Sequence, residues 1–212
     1  MRILNIRTLA LFTLLSTLTF ISCQKDENAP VSKNGLIPMK TGNQWFYKYY
    51  WLDDNIVDTA VLSVGDYVNI NGNKGFKFSS GDYPFHENFI FDNDDEGNCI
   101  SVGGYSDKDT LFAPSVRYKI DAKKGDSWNF QEISFDENGI FEKINTLMFC
   151  VSADTTIDTP IGNFKCKAYK WTPDSGDDWF FDYISENIGI IKSEHYDSNK
   201  LFSIQVLYSY KI

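Results

Sequence analysis

The sequence predicts an all-β fold, an antiparallel meander forming a strongly curved sheet or barrel-like arrangement, and three observations carry that prediction. From Leu36 onward the chain is a series of short runs rich in aromatic and β-branched residues, separated about every 8 to 15 residues by clusters of Gly, Asn and Asp. No segment holds a 3.6-residue apolar period over three turns, which argues against amphipathic helices. Turn sequences fall between the runs, so neighbouring runs pair as hairpins. About ten to twelve such strands would leave long unpaired edges unless the sheet curls or closes. A two-sheet sandwich is the runner-up architecture.

The elements follow in chain order. Residues 43–51 (NQWFYKYYW) place Trp45, Tyr47, Tyr49 and Trp51 on one face of a first strand. Asn71-Gly72-Asn73 lies between two strand-like runs, 66–70 and 75–79, and Glu96-Gly97-Asn98 lies between 88–91 and 99–102. Both read as hairpins. Residues 105–126 lack a clear pattern and read as a long-loop zone. Pro160 and Gly162 mark a tight connection, after which residues 163–171 alternate Phe164, Cys166 and Ala168 against Lys165 and Lys167. In the last run, 201–212, Phe202, Ile204, Val206, Tyr208, Tyr210 and Ile212 share the face expected to be buried, with Ser203, Gln205, Ser209 and Lys211 opposite. No internal repeat is visible. The expected organisation is a signal peptide over 1–22, a lipidated N-terminus and flexible tether over 23–34, and a single β-rich domain over 35–212.

Composition sets the class. The chain has 212 residues, 42% hydrophobic and 16% aromatic, with only 6 prolines. A chain of this kind buries a core, which excludes disordered, collagen-like and low-complexity classes. Its net charge is −9. Removal of Arg2 and Arg7 with the leader deepens that to −11, and such a surface repels phosphate backbones, so nucleic acid is not an expected partner.

The N-terminus carries an address. Arg2 and Arg7 precede an uncharged apolar stretch over residues 9–21, the layout of a cleaved signal peptide. The stretch is short of the ~20 residues needed to cross ~30 Å of hydrocarbon. Phe20-Ile21-Ser22-Cys23 resembles the lipobox of bacterial lipoproteins, with Phe20 in place of the usual Leu. That resemblance implies a diacylglyceryl thioether, palmitate included, on Cys23, and with it the lipoprotein-processing machinery and a membrane as partners. Gln24-Lys25-Asp26-Glu27-Asn28 follows at once. Lys25, Asp26 and Glu27 resemble the acidic export tag of Bacteroides-type surface lipoproteins, which implies an outer-membrane, cell-surface destination reached through export machinery. Residues 24–34 also suit a solvated tether.

The body has its own resemblance. Leu36-Ile37-Pro38, residues 42–47 (GNQWFY), residues 159–164 (TPIGNF), and Tyr183 with residues 189–194 (GIIKSE) look like segments shared by uncharacterised bacterial secreted β-proteins. The resemblance implies architecture and transfers no catalytic motif.

Chemistry is sparse. Apart from Cys23 there are Cys99, Cys150 and Cys166. A hairpin at Pro160 to Gly162 leaves Cys150 too far along its strand to reach Cys166, because bridged Cα atoms approach within ~7 Å, and buried free thiols acting as small hydrophobes are expected. The two histidines, His86 and His195, have no partner at metal-ligand spacing. No cofactor is expected, and neither is a nucleophile elbow or a phosphate loop. Asp92, Asp94, Asp95 and Glu96, followed by Gly97, open like a calcium loop, but position twelve is Gly103 instead of a bidentate Glu. Asp92, Asp94 and Glu96 are therefore metal candidates set against a polar hairpin tip. Trp171 and Trp179 flank a second acidic loop and are candidates for stacking on a glycan ligand, set against core packing. The expectation is a membrane-anchored, surface-displayed lipoprotein domain with a binding or structural role toward a glycan or protein. The alternative is a carboxylate-based hydrolase acting on polysaccharide, which needs two acids ~5 to 9.5 Å apart in a cleft.

Overall fold

The computed structural model describes residues 35–81, 88–105, 109–135, 140–174 and 176–212. Residues 1–34, which include Cys23, Lys25, Asp26 and Glu27, and His86 lie outside the described residues. Twelve strands carry the fold: β1 (Gln44–Trp51), β2 (Ile56–Ile70), β3 (Asn73–Gly81), β4 (Asn88–Asn93), β5 (Cys99–Tyr105), β6 (Thr110–Tyr118), β7 (Ser127–Phe135), β8 (Phe141–Thr159), β9 (Gly162–Pro173), β10 (Trp179–Ser185), β11 (Gly189–Asp197) and β12 (Lys200–Lys211). There is no helix among the described residues.

All pair antiparallel in one sheet, β6-β5-β4-β3-β2-β1-β12-β11-β10-β9-β8-β7. Strands consecutive in the chain bond one another except β6 and β7, which are left as the two edges, and β1 closes onto β12. Side chains join those edges. The Ser115 hydroxyl accepts the Gln131 amide (3.0 Å) and donates to the Gln131 carbonyl (3.2 Å), while the Trp128 indole donates to the Val116 carbonyl (3.1 Å). The result is a nearly closed barrel, the arrangement the strand count favours.

Local chemistry sets the turns. Asn71 (φ 53°) and Gly72 (φ 87°) occupy the left-handed region between paired Ile70 and Asn73, where Asn and Gly carry little penalty. Ser198 and Asn199 do the same between Asp197 and Lys200. The core holds Trp45, Tyr47, Val64, Phe78, Tyr118, Phe130, Met148, Tyr169, Ile184 and Leu207, all under 4% exposed.

The two ends of the barrel differ. At the base, Gly35–Met39 crosses the opening with Leu36 and Met39 buried. The Leu36 amide bonds the Gly97 carbonyl, the Asn187 amide bonds the Gly35 carbonyl, and the buried Asn93 side chain donates to the Ile37 carbonyl. Asn98 ties two base turns together by accepting the Ile120 amide. The opposite rim carries the turns at 52–55 and 198–199, with Asp174 and residues 176–178 between β9 and β10.

Three expectations need correction. The zone 105–126 is not loop throughout, since β6 runs through it. Pro114 hides that strand, because a residue without an N–H is tolerated only where the ladder ends, and β6 is an edge. The last strand turns the other way round: Leu207 and Ser203 are buried, while Ile204, Val206 and Tyr208 are half-exposed on the outside. The expected apolar face is not wasted, because β8 and β9 extend past the barrel and bring Thr156, Ile157 and Asp158 against Ile204, Val206 and Tyr50. Register shifts at Cys150/Ser152 and Ser152/Thr155 in β8 accompany this extension, as expected of bulges that bend a strand. Finally, the alternation expected over 163–171 holds only as far as Ala168: Cys166 and Ala168 are buried with Lys165 exposed, but Tyr169 and Trp171 on the other alternation are buried as well.

Candidate functional site

The densest polar constellation lies inside the barrel on Asp182. β10 (WFFDYIS) alternates, so Phe180, Asp182 and Ile184 point inward while Trp179, Phe181 and Tyr183 point out. Asp182 is 5% exposed. Its Oδ2 accepts from the Tyr118 hydroxyl and the Trp171 indole, and its Oδ1 accepts from the Ser193 hydroxyl, each at 2.6 Å. Tyr118 in turn accepts from Arg117 Nε at 3.0 Å. The Arg117 guanidinium lies over the Phe130 and Trp171 rings, 5.4 and 5.1 Å from their centroids, and 3.7 Å from Glu132.

The electrostatics follow from burial. Burial pulls the Arg117 pKa down, but Tyr118, Glu132 and Asp182 outweigh it and hold the guanidinium above its ordinary value. Burial pushes Glu132 up, with Arg117 and the Thr146 hydroxyl pulling back and Asp182 adding to the rise. Burial is also the leading cause of the elevated Tyr118 pKa. This network satisfies its own donors, and its chemistry is that of a buried brace spanning β6, β7, β9, β10 and β11.

A parallel aromatic stack leaves the brace toward the rim. Trp171 stacks on Phe180 (3.8 Å, 10°), Phe180 stacks on His195 (4.4 Å, 11°), and Phe202 meets His195 edge-on. His195 Nε2 lies 3.7 Å from Asp178 Oδ2. His195, which has no metal-ligand partner by spacing in the sequence, is therefore a half-buried stacking element at the rim.

The sequence candidates scatter. Trp171 is interior, and its indole is committed to Asp182. Trp179 faces outward, so the two do not share a face. One face of its ring stacks on Tyr196 (3.6 Å, 8°), and the Lys170 ammonium also sits over the ring, 4.2 Å from its centroid. Asp94 closes the β4–β5 turn: its Oδ1 accepts the Glu96 and Asn98 amides, and its Oδ2 accepts from the Asn98 side chain. Asp92 accepts the Asn93 amide, and Glu96 accepts from Asn98. Among the described residues no three His, Cys, Asp or Glu side chains converge as a metal site. Cys99, Cys150 and Cys166 are free and buried, and burial pushes the Cys99 and Cys166 thiols up to about 12. Cys166 lies opposite Thr155 and Cys150 opposite Tyr169, which keeps the two thiols apart as the hairpin geometry predicts.

Sequence reasoning missed Asp182. Its signal was a single acid at an inward position of an otherwise aromatic strand, which only a partner set on other strands explains.

Two shallow grooves mark the outer surface. One, about 430 Å³, lies between the β8–β9 extension and Tyr50, Leu52, Lys192, Ile204 and Val206. The other, about 280 Å³, lies beside Asn73, Lys74, Asp92 and Asp94. Neither is lined by Asp182 or Glu132.

No protein-family profile matches the chain, and no curated protein matches it. Among solved structures, one from Bacteroides fragilis, provisionally described as an exported protein with a YmcC-like fold, aligns at a TM-score of 0.49 with 16% identity over 84% of this chain and 100% of that one. Another, from Parabacteroides distasonis and provisionally described as a lipoprotein, aligns at 0.43 with 15% identity over 84% of this chain and 99% of that one.

Proposed function

We propose that the mature protein is a lipid-anchored β-barrel displayed on the outer membrane surface, with a binding or structural role. The observation that carries this reading is the order of residues at the N-terminus: a charged start, an apolar stretch ending in Ile21-Ser22-Cys23, then Lys25-Asp26-Glu27. Several acyl chains on Cys23 would hold the chain at the membrane, since one chain of myristoyl length binds only marginally. A binding or structural role suits the interior, where Asp182 and Glu132 are engaged with Arg117, Tyr118, Trp171 and Ser193 instead of lining a cleft. The hydrolase alternative needs two acids facing a substrate-sized opening.

The test uses whole cells. Cys23→Ser should abolish incorporation of radiolabelled palmitate, because only a thiol accepts the diacylglyceryl group. Alanine at Lys25, Asp26 and Glu27 should leave palmitate incorporation intact and remove the domain from the reach of protease added outside. Label entering the Cys23→Ser protein overturns the anchor, and a wild-type domain already protected from protease overturns surface display.

A further inference from the structure

We infer that the groove between the β8–β9 extension and the outer wall of β1, β12 and β11 takes a short stretch of a neutral polysaccharide. The inference deepens the binding role proposed above and does not depend on the lipid anchor. It starts from how the groove is made. The ladder between β7 and β8 ends at Ser127 and Phe149, but β8 runs on to Thr159, among the described residues in a ladder with β9 alone. The register shifts at Cys150/Ser152 and Ser152/Thr155 bend this extension, a device that re-aims side chains beside functional sites. It brings Thr156, Ile157 and Asp158 over Tyr50, Ile204 and Val206 without closing on them, and about 430 Å³ remains between the two walls, the size of a small-ligand site. A contact made only for packing would bury the barrel wall. Instead Leu52, at the end of the groove, is 44% exposed, and Val57, paired with Tyr50, is 59% exposed.

The lining selects the ligand. Its floor is apolar, with Ile204 and Val206 beside the Tyr50 ring, and suits the C–H faces of sugar rings. Polar groups come from both sides: Thr156 and Asp158 from the extension, Lys192 from β11. Lys192 is already held by Glu194 at 2.5 Å, and the Tyr183 and Tyr196 hydroxyls also donate to Glu194 Oε2, at 3.5 and 3.2 Å. Lys192 therefore offers hydrogen bonds with its charge compensated, and Asp158 across the groove repels an anion, which disfavours an acyl carboxylate or a phosphate. Lys48, the other cation beside Val206, is turned over the Tyr208 ring. A carboxylate with two acceptor oxygens next to an apolar floor matches a ligand whose hydroxyls surround an apolar face. Width points the same way. A groove that crosses three strands, about 10 Å from first to last, is one sugar chain wide, whereas a stable protein interface covers about 800 Å² on each partner.

The experiment runs full-length protein that has incorporated palmitate, in detergent, through native gels containing a soluble α-glucan, a β-glucan, a mannan or a xylan. At least one of the four should retard it. Asp158→Asn alters an exposed side chain without changing its shape and should weaken the apparent affinity about tenfold, the effect of losing a hydrogen bond to a charged group. Tyr50→Ala, which takes the ring from the floor, should weaken it at least as much, while Trp179→Ala leaves it unchanged. No retardation by any of the four, or retardation that survives both groove variants, overturns the inference and leaves the anchor and surface display standing. Sedimentation that shows the same protein as a dimer, dissolved by Tyr50→Ala, gives the groove to a second copy of the chain and overturns it as well.

Discussion

Glu132 shows how burial reverses the usual behaviour of a carboxylate. Its pKa is raised in the folded barrel, with burial as the largest cause. The sign follows from linkage: the stability held by its protonated form is fully present below the unfolded value of ~4.3 and is lost as pH rises through the elevated folded value. Glu132→Gln keeps the shape and removes the titration, so its melting temperature relative to wild type should move in the variant's favour between pH 4 and pH 7. Each unit of elevation corresponds to about 1.4 kcal/mol, or about 3–6 °C for a domain of this size. Thermal melts of the two proteins across that range check it, and a constant or shrinking difference would falsify the assignment. Asp182 has the contrasting environment, with three donors converging on its carboxylate. Neither acid stood out in the sequence among 29 acidic residues, because what distinguishes them is supplied by other strands.

At the scale of elements, the segment ahead of β1 matters as much as the strands. Gly35–Met39 forms no ladder, yet Leu36, Ile37 and Met39 are buried, and the Trp45 indole and Tyr47 hydroxyl beneath them bond the carbonyls of Ile188 and Ile190. Glycine is required at position 35, where an added Cβ would come within 2.6 Å of the Asn93 side chain. Leu36→Ala removes a fully buried side chain over the base and should destabilise the domain by about 2–4 kcal/mol, lowering the melting temperature by roughly 4–16 °C. A shift under 2 °C would mean that the segment lies loosely on the base. Hairpins such as β2–β3 and β8–β9 were readable because their turn chemistry is local: Asn71-Gly72 and Gly162 adopt φ values those residues favour. β6 was not readable, because its proline and its place at a sheet edge break the pattern by which a strand is recognised.

At the scale of the molecule, the weakest line is the seam between β6 and β7. No backbone ladder crosses it, and Ser115 takes the place of one by bonding both the amide and the carbonyl of Gln131. Ser115→Ala leaves that amide without its acceptor, at a cost of about 1–3 kcal/mol. The change should speed hydrogen exchange at Gln131 and along β6 and β7, with β1 and β12 unaffected. Uniform acceleration over all strands would show that the barrel opens as a whole and not at the seam.

The alternation of Trp45, Tyr47, Tyr49 and Trp51, the Asn-Gly turn at 71–72, the absence of any helical period, and the order of hairpins were all present in the sequence by itself. So was the likeness of residues 20–27 to a lipoprotein signal and export tag. These are properties of neighbouring residues, and strand period and turn preference act over two to four positions. Tertiary structure alone decided that β12 presents Leu207 inward and Ile204 outward, that Trp171 is committed to Asp182 while Trp179 lies on the opposite face, and that β6 and β7 meet as edges. Each of these depends on which distant strand lies alongside. A one-residue change in pairing exchanges the faces of a strand, so the apolar alternation of 201–212 could not identify the buried side until the β8–β9 extension had covered the other.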